Sequence, residues 1–214
     1  RRDPKNGLSV PPRLTLRNAF DVLRKPGWLM SMLATPRRGF GNMAAAVKRA
    51  GGMPFSQFVQ SQFDASVTWK DLERYRAQWK GKLIVKGIMD AEDARQAVAL
   101  GADALVVSNH GGRQLDGAPS SISMLPEVLD AVAGRAEVML DSGVRSGMDI
   151  LKARALGARA VLAGRAWLYG LGAMGQQGVA TALQLMSREL QVSLALTGCN
   201  DVNDLGPQHL VSRR

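Results

Sequence analysis

The sequence, 214 residues long, predicts an α/β fold built on a parallel sheet, and within that class half of a (β/α)8 TIM barrel. Three observations carry the expectation. Four continuous apolar runs, each reached through a helical segment, mark strands buried on both faces. The segments ALGADALVV (99–107) and ALGARAVLA (155–163) repeat one helix–glycine–strand pattern, and such units recur at the roughly 25–30-residue spacing of βα repeats. Finally, the residues suited to chemistry each fall directly after a strand: Lys86, Ser108-Asn109-His110, 141–145 and Gly164-Arg165. In a barrel, successive strand ends converge on one mouth, whereas in an open doubly wound sheet they spread along an edge. The barrel is therefore favoured.

The elements follow in order. Residues 4–60 read as irregular: PKNGLSVPP (4–12) is turn-rich, LRNAFDVLRKP (16–26) is a short helix ended by Pro26, and TPRRGFGN (35–42) is another break. WKDLERYRAQW (69–79) has helical spacing, with Leu72, Tyr75, Arg76 and Trp79 on one side. KLIVKG (82–87) is a strand. DAEDARQAVALG (90–101) is a helix that opens on an Asp cap, carries acids in its first turn and stops at glycine. ADALVVSN (102–109) is the next strand, SMLPEVLDAVAG (123–134) the next helix, and AEVMLDSG (136–143) a third strand. SGMDILKARALG (146–157) is a helix with Ser146 as its cap, ARAVLAGR (158–165) a fourth strand, and 179–196 a final helix. The expected organisation is a basic, partly apolar loop over 1–60 and the half barrel over 61–214.

Composition narrows the class of function. An apolar content of 46% and a mean hydropathy of −0.08 describe a globular chain. The single cysteine, Cys199, excludes an internal disulfide framework. No CxxC or His/Cys cluster suggests a metal, and no apolar run at the start suggests a signal peptide. The net charge of +10 is uneven. Residues 1–50 hold eleven Lys/Arg and two Asp/Glu, whereas 51–214 hold seventeen and sixteen. A nucleic-acid surface would interleave basic residues with aromatics or set them on a recognition helix, and this excess does neither. It lies beside PGWLMSML (26–33), too short to span a bilayer but suited to an anionic membrane surface. A solvated loop that touches nothing also fits the charge.

Gly164 lets the backbone approach a phosphate, and Arg165 supplies a forked cation. Asp141, Gly143 and Arg145 give an acceptor, an open backbone and a second guanidinium one strand earlier. Loops after the last two strands of a barrel commonly hold a phosphate, so the pair points to a phosphate-bearing cofactor. Lys86 reads either as a lysine that lifts its ammonium to water at a strand end or as a fixed charge that stabilises a reduced cofactor. His110 and Arg113, three apart among glycines, suit a proton acceptor and a bidentate clamp for a small carboxylic acid. The two residues alone equally fit an ordinary turn.

Taken together, SNHGGRQLDG (108–117), VKG (85–87), DSGVRSG (141–147) and GRA (164–166) resemble the FMN-dependent α-hydroxy acid dehydrogenase/oxidase family. FDASVTWKDLERYR (63–76) and GRQLDGAPSS (112–121) are most similar to its membrane-associated L-lactate dehydrogenases, then to the mandelate dehydrogenases. The resemblance implies strands five to eight of the barrel. It implies His110 as the active-site base, Arg113 as the ligand of the substrate carboxylate, Lys86 against the flavin N1/O2 edge, and Ser108 in contact with the flavin. Asp141, Gly143, Arg145, Gly164 and Arg165 would hold the ribityl chain and phosphate of FMN. Ser142 departs from the glycine of many members, though the lactate dehydrogenases often carry Ser. The activity implied is oxidation of an L-2-hydroxy acid, lactate first and mandelate or glycolate as alternatives, with quinone as electron acceptor. Residues 7–60 would make a peripheral membrane contact on the cytoplasmic side of the inner membrane, in a homo-oligomer without nucleic acid. The resemblance also implies a further N-terminal half, with more flavin contacts and the aspartate that pairs with the base. An inactive, flavin-binding half barrel is the rival.

Overall fold

The computed structural model describes residues 15–35, 41–49, 51–52 and 54–211. The chain divides into two compact units, Arg1–Val67 and Thr68–Arg214, the boundary falling a few residues beyond the expected 60/61.

The described part of the first unit is largely helical: the short helix expected over 16–26 is present, and the irregular reading of the other described residues of 4–60 is corrected. Helix α1 (Leu16–Leu23) starts where Thr15 Oγ1 accepts the Asn18 N–H at 3.1 Å, a side-chain N-cap. Helix α2 (Pro26–Ala34) opens on proline, whose fixed φ suits a first helical position. Helices α3 (Gly41–Arg49) and α4 (Phe55–Ser61) follow. Each of the four has nine residues or fewer. Such short helices give little periodicity, so their flanking prolines and glycines dominated the sequence signal. The break expected at 4–12, and most of that at 35–42, lies outside the described residues.

The second unit begins with α5 (Trp69–Gln78), where the Thr68 N–H donates to Asp71 Oδ2 at 2.9 Å. Four parallel strands follow: β1 (Ile84–Ile88), β2 (Ala104–Val107), β3 (Glu137–Leu140) and β4 (Ala160–Val161). They alternate with α6 (Ala91–Ala99), α7 (Ser121–Val132), α8 (Gly147–Ala155) and α9 (Arg165–Leu196). The strand order is β1-β2-β3-β4. A doubly wound sheet reverses its order at a switch point; a barrel does not, and this sheet is a barrel sector.

Register fixes which side chains meet. Leu105 pairs with Val138 and Val107 with Leu140, and these four pack with Ala94, Ala97, Leu125, Val128 and Val132 from α6 and α7 in the buried core. Burying one such Leu or Val stabilises the fold by about 1.5–3 kcal/mol. On the other face Lys86 pairs with Val106, and Val106 with Met139. Beside Lys86 the β1–β2 register slips, because Gly87 stands at φ +99° and forms a bulge, a device that re-aims a neighbouring side chain. At the opposite ends of the strands, Asp103 accepts from Lys82 at 2.7 Å, from Leu83 N at 2.9 Å and from Arg76 at 3.3 Å, tying α5 to the sheet.

Helix α9 starts fourteen residues before the expected 179. It is interrupted at Met174 and Gly175, the latter at φ +59° and ψ −137°. The break brings Gly170 and Gly178 together so closely that a Cβ on Gly178 would lie 1.9 Å from the Gly170 carbonyl oxygen. Gly170 is thus there for close approach.

Candidate active site

The C-terminal ends of the four strands open into one cleft of about 400 Å³. Its lining contains Lys86, which lies within β1 rather than after it as the sequence suggested, because the strand runs on past the Gly87 bulge to Ile88; with it are His110 and Arg113 after β2, Asp141, Gly143 and Arg145 after β3, and Gly164 and Arg165 after β4. Eight of the nine residues singled out by sequence thus share a single cavity. The ninth, Ser108, is buried and does not line it.

Ser108 belongs to a network beneath the cleft, centred on Asp141. Lys86 Nζ lies 2.6 Å from Asp141 Oδ2 and donates to Ser108 Oγ at 2.8 Å. Ser108 Oγ donates in turn to Asp141 Oδ1. Ser142 Oγ donates to that same oxygen at 2.7 Å. Both hydroxyls also accept backbone N–H groups from the histidine loop, Ser108 from His110 at 3.2 Å and Ser142 from Gly111 at 2.9 Å. Burial on its own would raise the Asp141 carboxyl. The hydrogen bonds from Lys86, Ser108 and Ser142, with the Lys86 charge, outweigh it and hold the group below its ordinary 3.8. Sequence reading missed Ser121, the buried first residue of α7, whose hydroxyl donates to the Asp141 carbonyl at 2.6 Å. No sequence spacing announces that bond.

The histidine loop needs this support. His110, Gly111 and Gly112 have φ of +56°, +71° and +68°, a left-handed run that costs a non-glycine residue energy. It forms a single 3₁₀ turn, His110–Gly112, in which Asn109 Oδ1 accepts the Gly112 N–H at 3.0 Å. Arg165 Nη2 reaches across from α9 to the Gly111 carbonyl at 3.0 Å. A Cβ on Gly111 would stand 2.9 Å from that guanidinium nitrogen, so a side chain there would push the Arg165 tip aside as well as strain the backbone. The exposed His110 ring has no hydrogen-bond partner among the described residues, and neither do the guanidinium groups of Arg113 and Arg145.

These groups suit a ligand with a phosphate at one end. Lys86 is balanced by Asp141, which leaves the guanidinium groups of Arg113, Arg145 and Arg165 facing the cleft. Gly143, at φ +88°, and Gly164 have open space where a Cβ would stand. Gly164 is also the N-cap of α9, whose first-turn N–H groups favour an anion. Donors, open backbone and positive charge together fit a phosphorylated cofactor such as FMN.

The model of the FMN-dependent dehydrogenase family matches residues 1–212. The chain belongs to that family. L-lactate dehydrogenase of Caulobacter vibrioides is 44% identical over 215 residues, which cover 99% of this chain and 56% of the relative. The L-lactate dehydrogenase of Stenotrophomonas maltophilia is 42% identical over 214 residues, with the same coverage. The crystal structure of a monotopic membrane protein, (S)-mandelate dehydrogenase, matches with a TM-score of 0.85 and 37% identity over 99% of this chain and 56% of that one. A mandelate oxidase variant carrying a monooxide FMN adduct is 51% identical, with a TM-score of 0.62, over 65% of this chain and 45% of its own. The chain spans about half the length of the curated relatives it matches. Within this FMN-dependent family it supplies four consecutive βα units of the barrel, with FMN as the family's cofactor.

Proposed function

We propose that the whole protein oxidises a small L-2-hydroxy acid, lactate to pyruvate in the first instance, in an FMN-dependent reaction that passes two electrons to a membrane quinone. The observation that carries this reading is the cleft itself, where a histidine and an unpaired arginine share one mouth with two loops that offer open glycine backbone and guanidinium groups. Arg113 binds the substrate carboxylate bidentately and so fixes the hydroxyl-bearing carbon. His110 takes one proton from the substrate, from the α-carbon or the hydroxyl, as the general base. Lys86, held by Asp141, sets a fixed positive charge at the strand end where negative charge accumulates. Arg145, Arg165, Gly143 and Gly164 hold the phosphate end, and Asp141 adds an acceptor. Bound there, FMN would supply the two-electron acceptor. The products are a 2-oxo acid, two protons and two electrons.

Acceptor and location rest on the first unit. On α1, Leu16, Phe20 and Leu23 form one stripe, exposed at 93%, 60% and 68%. Trp28, Met30 and Leu33 on α2 are also exposed, and both helices fall within the basic stretch of sequence 1–50. Among the described residues no helix is long and apolar enough to cross a membrane. The reading is a peripheral contact of residues 7–60 with the cytoplasmic face of an inner membrane, in a homo-oligomer.

The decisive experiment is anaerobic bleaching of the flavin in the full-length protein by a panel of L- and D-2-hydroxy acids. Bleaching by L-lactate is expected, with His110→Gln slowing it by roughly 10³-fold. Faster bleaching by L-mandelate or glycolate would reassign the substrate. A protein that holds flavin but is reduced by none of the panel would overturn the enzyme in favour of an inactive flavin-binding module.

A further inference from the structure

Ser142 stands at φ +75°, a left-handed conformation that glycine adopts freely and serine does not. A serine in that conformation is uncommon, and the bonds of its hydroxyl show what it does here. It donates to Asp141 Oδ1 at 2.7 Å and accepts the Gly111 N–H at 2.9 Å. The neighbouring amide, His110 N–H, is held at 3.2 Å by Ser108 Oγ, which donates to the same carboxylate oxygen. Two hydroxyls anchored on one oxygen therefore grip the peptide N–H groups on either side of the His110 α-carbon. Lys86 fixes the other carboxylate oxygen, and Ser121 holds the carbonyls of Asp141 and Ser142 at 2.6 and 3.1 Å.

We propose that Ser142 is a positioning residue: its hydroxyl, with that of Ser108, clamps the left-handed turn that carries His110 and so aims the imidazole at the substrate. The proposal rests on the reading of His110 as the base. Arg113 is outside the clamp, because the turn on its side is pinned separately by Asn109, through Gly112 N at 3.0 Å and the Pro119 carbonyl at 3.0 Å. The clamp thus sets how the proton is taken and leaves the carboxylate grip alone.

The test compares Ser142→Gly with Ser142→Ala in the full-length, flavin-loaded protein. Both delete the hydroxyl, but only glycine relieves the backbone. The expected result is that both variants lower the limiting rate of flavin reduction by the same factor, roughly tenfold. The substrate concentration for half that rate should stay unchanged. Thermal stability should split, with the glycine variant the more stable of the two. The Gly111 amide should exchange roughly tenfold faster with solvent deuterium in both, and the Gly112 amide at its wild-type rate. A glycine variant reduced at the wild-type rate overturns the proposal, as do rates that follow stability or a change confined to half-saturation. If the wild type is itself not reduced by any 2-hydroxy acid, the functional reading falls. Gly111 exchange then still decides the clamp, and unchanged exchange overturns it.

Discussion

Asp141 concentrates the chemistry of the site into one carboxylate, and its protonation state therefore has a measurable consequence. Its folded value lies below the ordinary 3.8. The stabilisation it gives is thus fully present above that value and is lost as pH falls through the depressed one. Asp141→Asn removes the ion pair with Lys86 and weakens the grip on two hydroxyls. At pH 7 it should cost about 1–3 kcal/mol, read as a lower urea midpoint. The gap from wild type should narrow below pH 3.8 and close once the wild-type carboxyl is protonated. Asp71 and Asp103 are also held below their ordinary values, but they are common to both proteins and cancel in the difference. A gap independent of pH would mean that shape, not charge, is at stake. At this scale the sequence made the residues at the strand ends legible, since Lys86, Asp141, Arg145 and Arg165 each follow an apolar run. It did not show their partnerships. Nothing in the spacing of positions 86, 108, 141 and 142 tells that two hydroxyls and an ammonium meet on one carboxylate, because that depends on strand register and on the Gly87 bulge.

Between elements, close approach of two backbones leaves some positions no room for a side chain. A Cβ on Gly147 would lie 2.0 Å from Leu190 N and 2.5 Å from the Glu189 carbonyl carbon, so the first residue of α8 packs directly on the α9 backbone. Glu189 seals the contact by accepting the Gly147 N–H at 2.8 Å. Gly147→Ala should therefore destabilise by about 3 kcal/mol, since two backbones cannot both yield. Gly172, within α9, meets nothing within 4 Å of an added Cβ. Gly172→Ala should raise stability by about 0.5–1 kcal/mol through helix propensity. Urea titration of the two variants separates a glycine needed for contact from one that is not. Ala133, the left-handed C-cap of α7 at φ +50°, gives the complementary case: Ala133→Gly should stabilise by about 1 kcal/mol, read as a higher melting temperature. Capped helices with a clear stop, such as α6 with Asp90 and α8 with Ser146, were legible from sequence. The first segment of α9 was not, because glycine as a breaker and glycine as a contact look the same in one sequence.

For the molecule as a whole, the direction of the sheet was legible and its two open edges have physical consequences. Four buried runs separated by helices dictate a parallel sheet, and strand-end chemistry selects the barrel. Among the described residues β1 and β4 each pair on one side only, and Ile84 on β1 is exposed at 52%. An open edge recruits further strands, which agrees with a chain half the length of its curated relatives. The 214 residues alone should self-associate and hold flavin poorly, whereas the full-length protein should be monodisperse by light scattering. The membrane contact proposed for the first unit has two separable parts. The basic excess would attract anionic lipid from a distance set by a Debye length of about 10 Å at 0.1 M salt. The apolar stripe Leu16, Phe20 and Leu23 would then hold the protein at the surface. The two contributions separate in a vesicle co-sedimentation assay. Raising the salt should release wild-type protein from anionic vesicles, and neutral vesicles should bind it weakly at any salt. Phe20→Ser removes apolar area but no charge, so it should weaken binding roughly tenfold while the slope of affinity against salt stays the same. Replacing Arg24 and Lys25 by Gln should flatten that slope. Equal binding to neutral and anionic vesicles would remove the electrostatic half of the argument, and an unaffected Phe20→Ser protein would remove the apolar half.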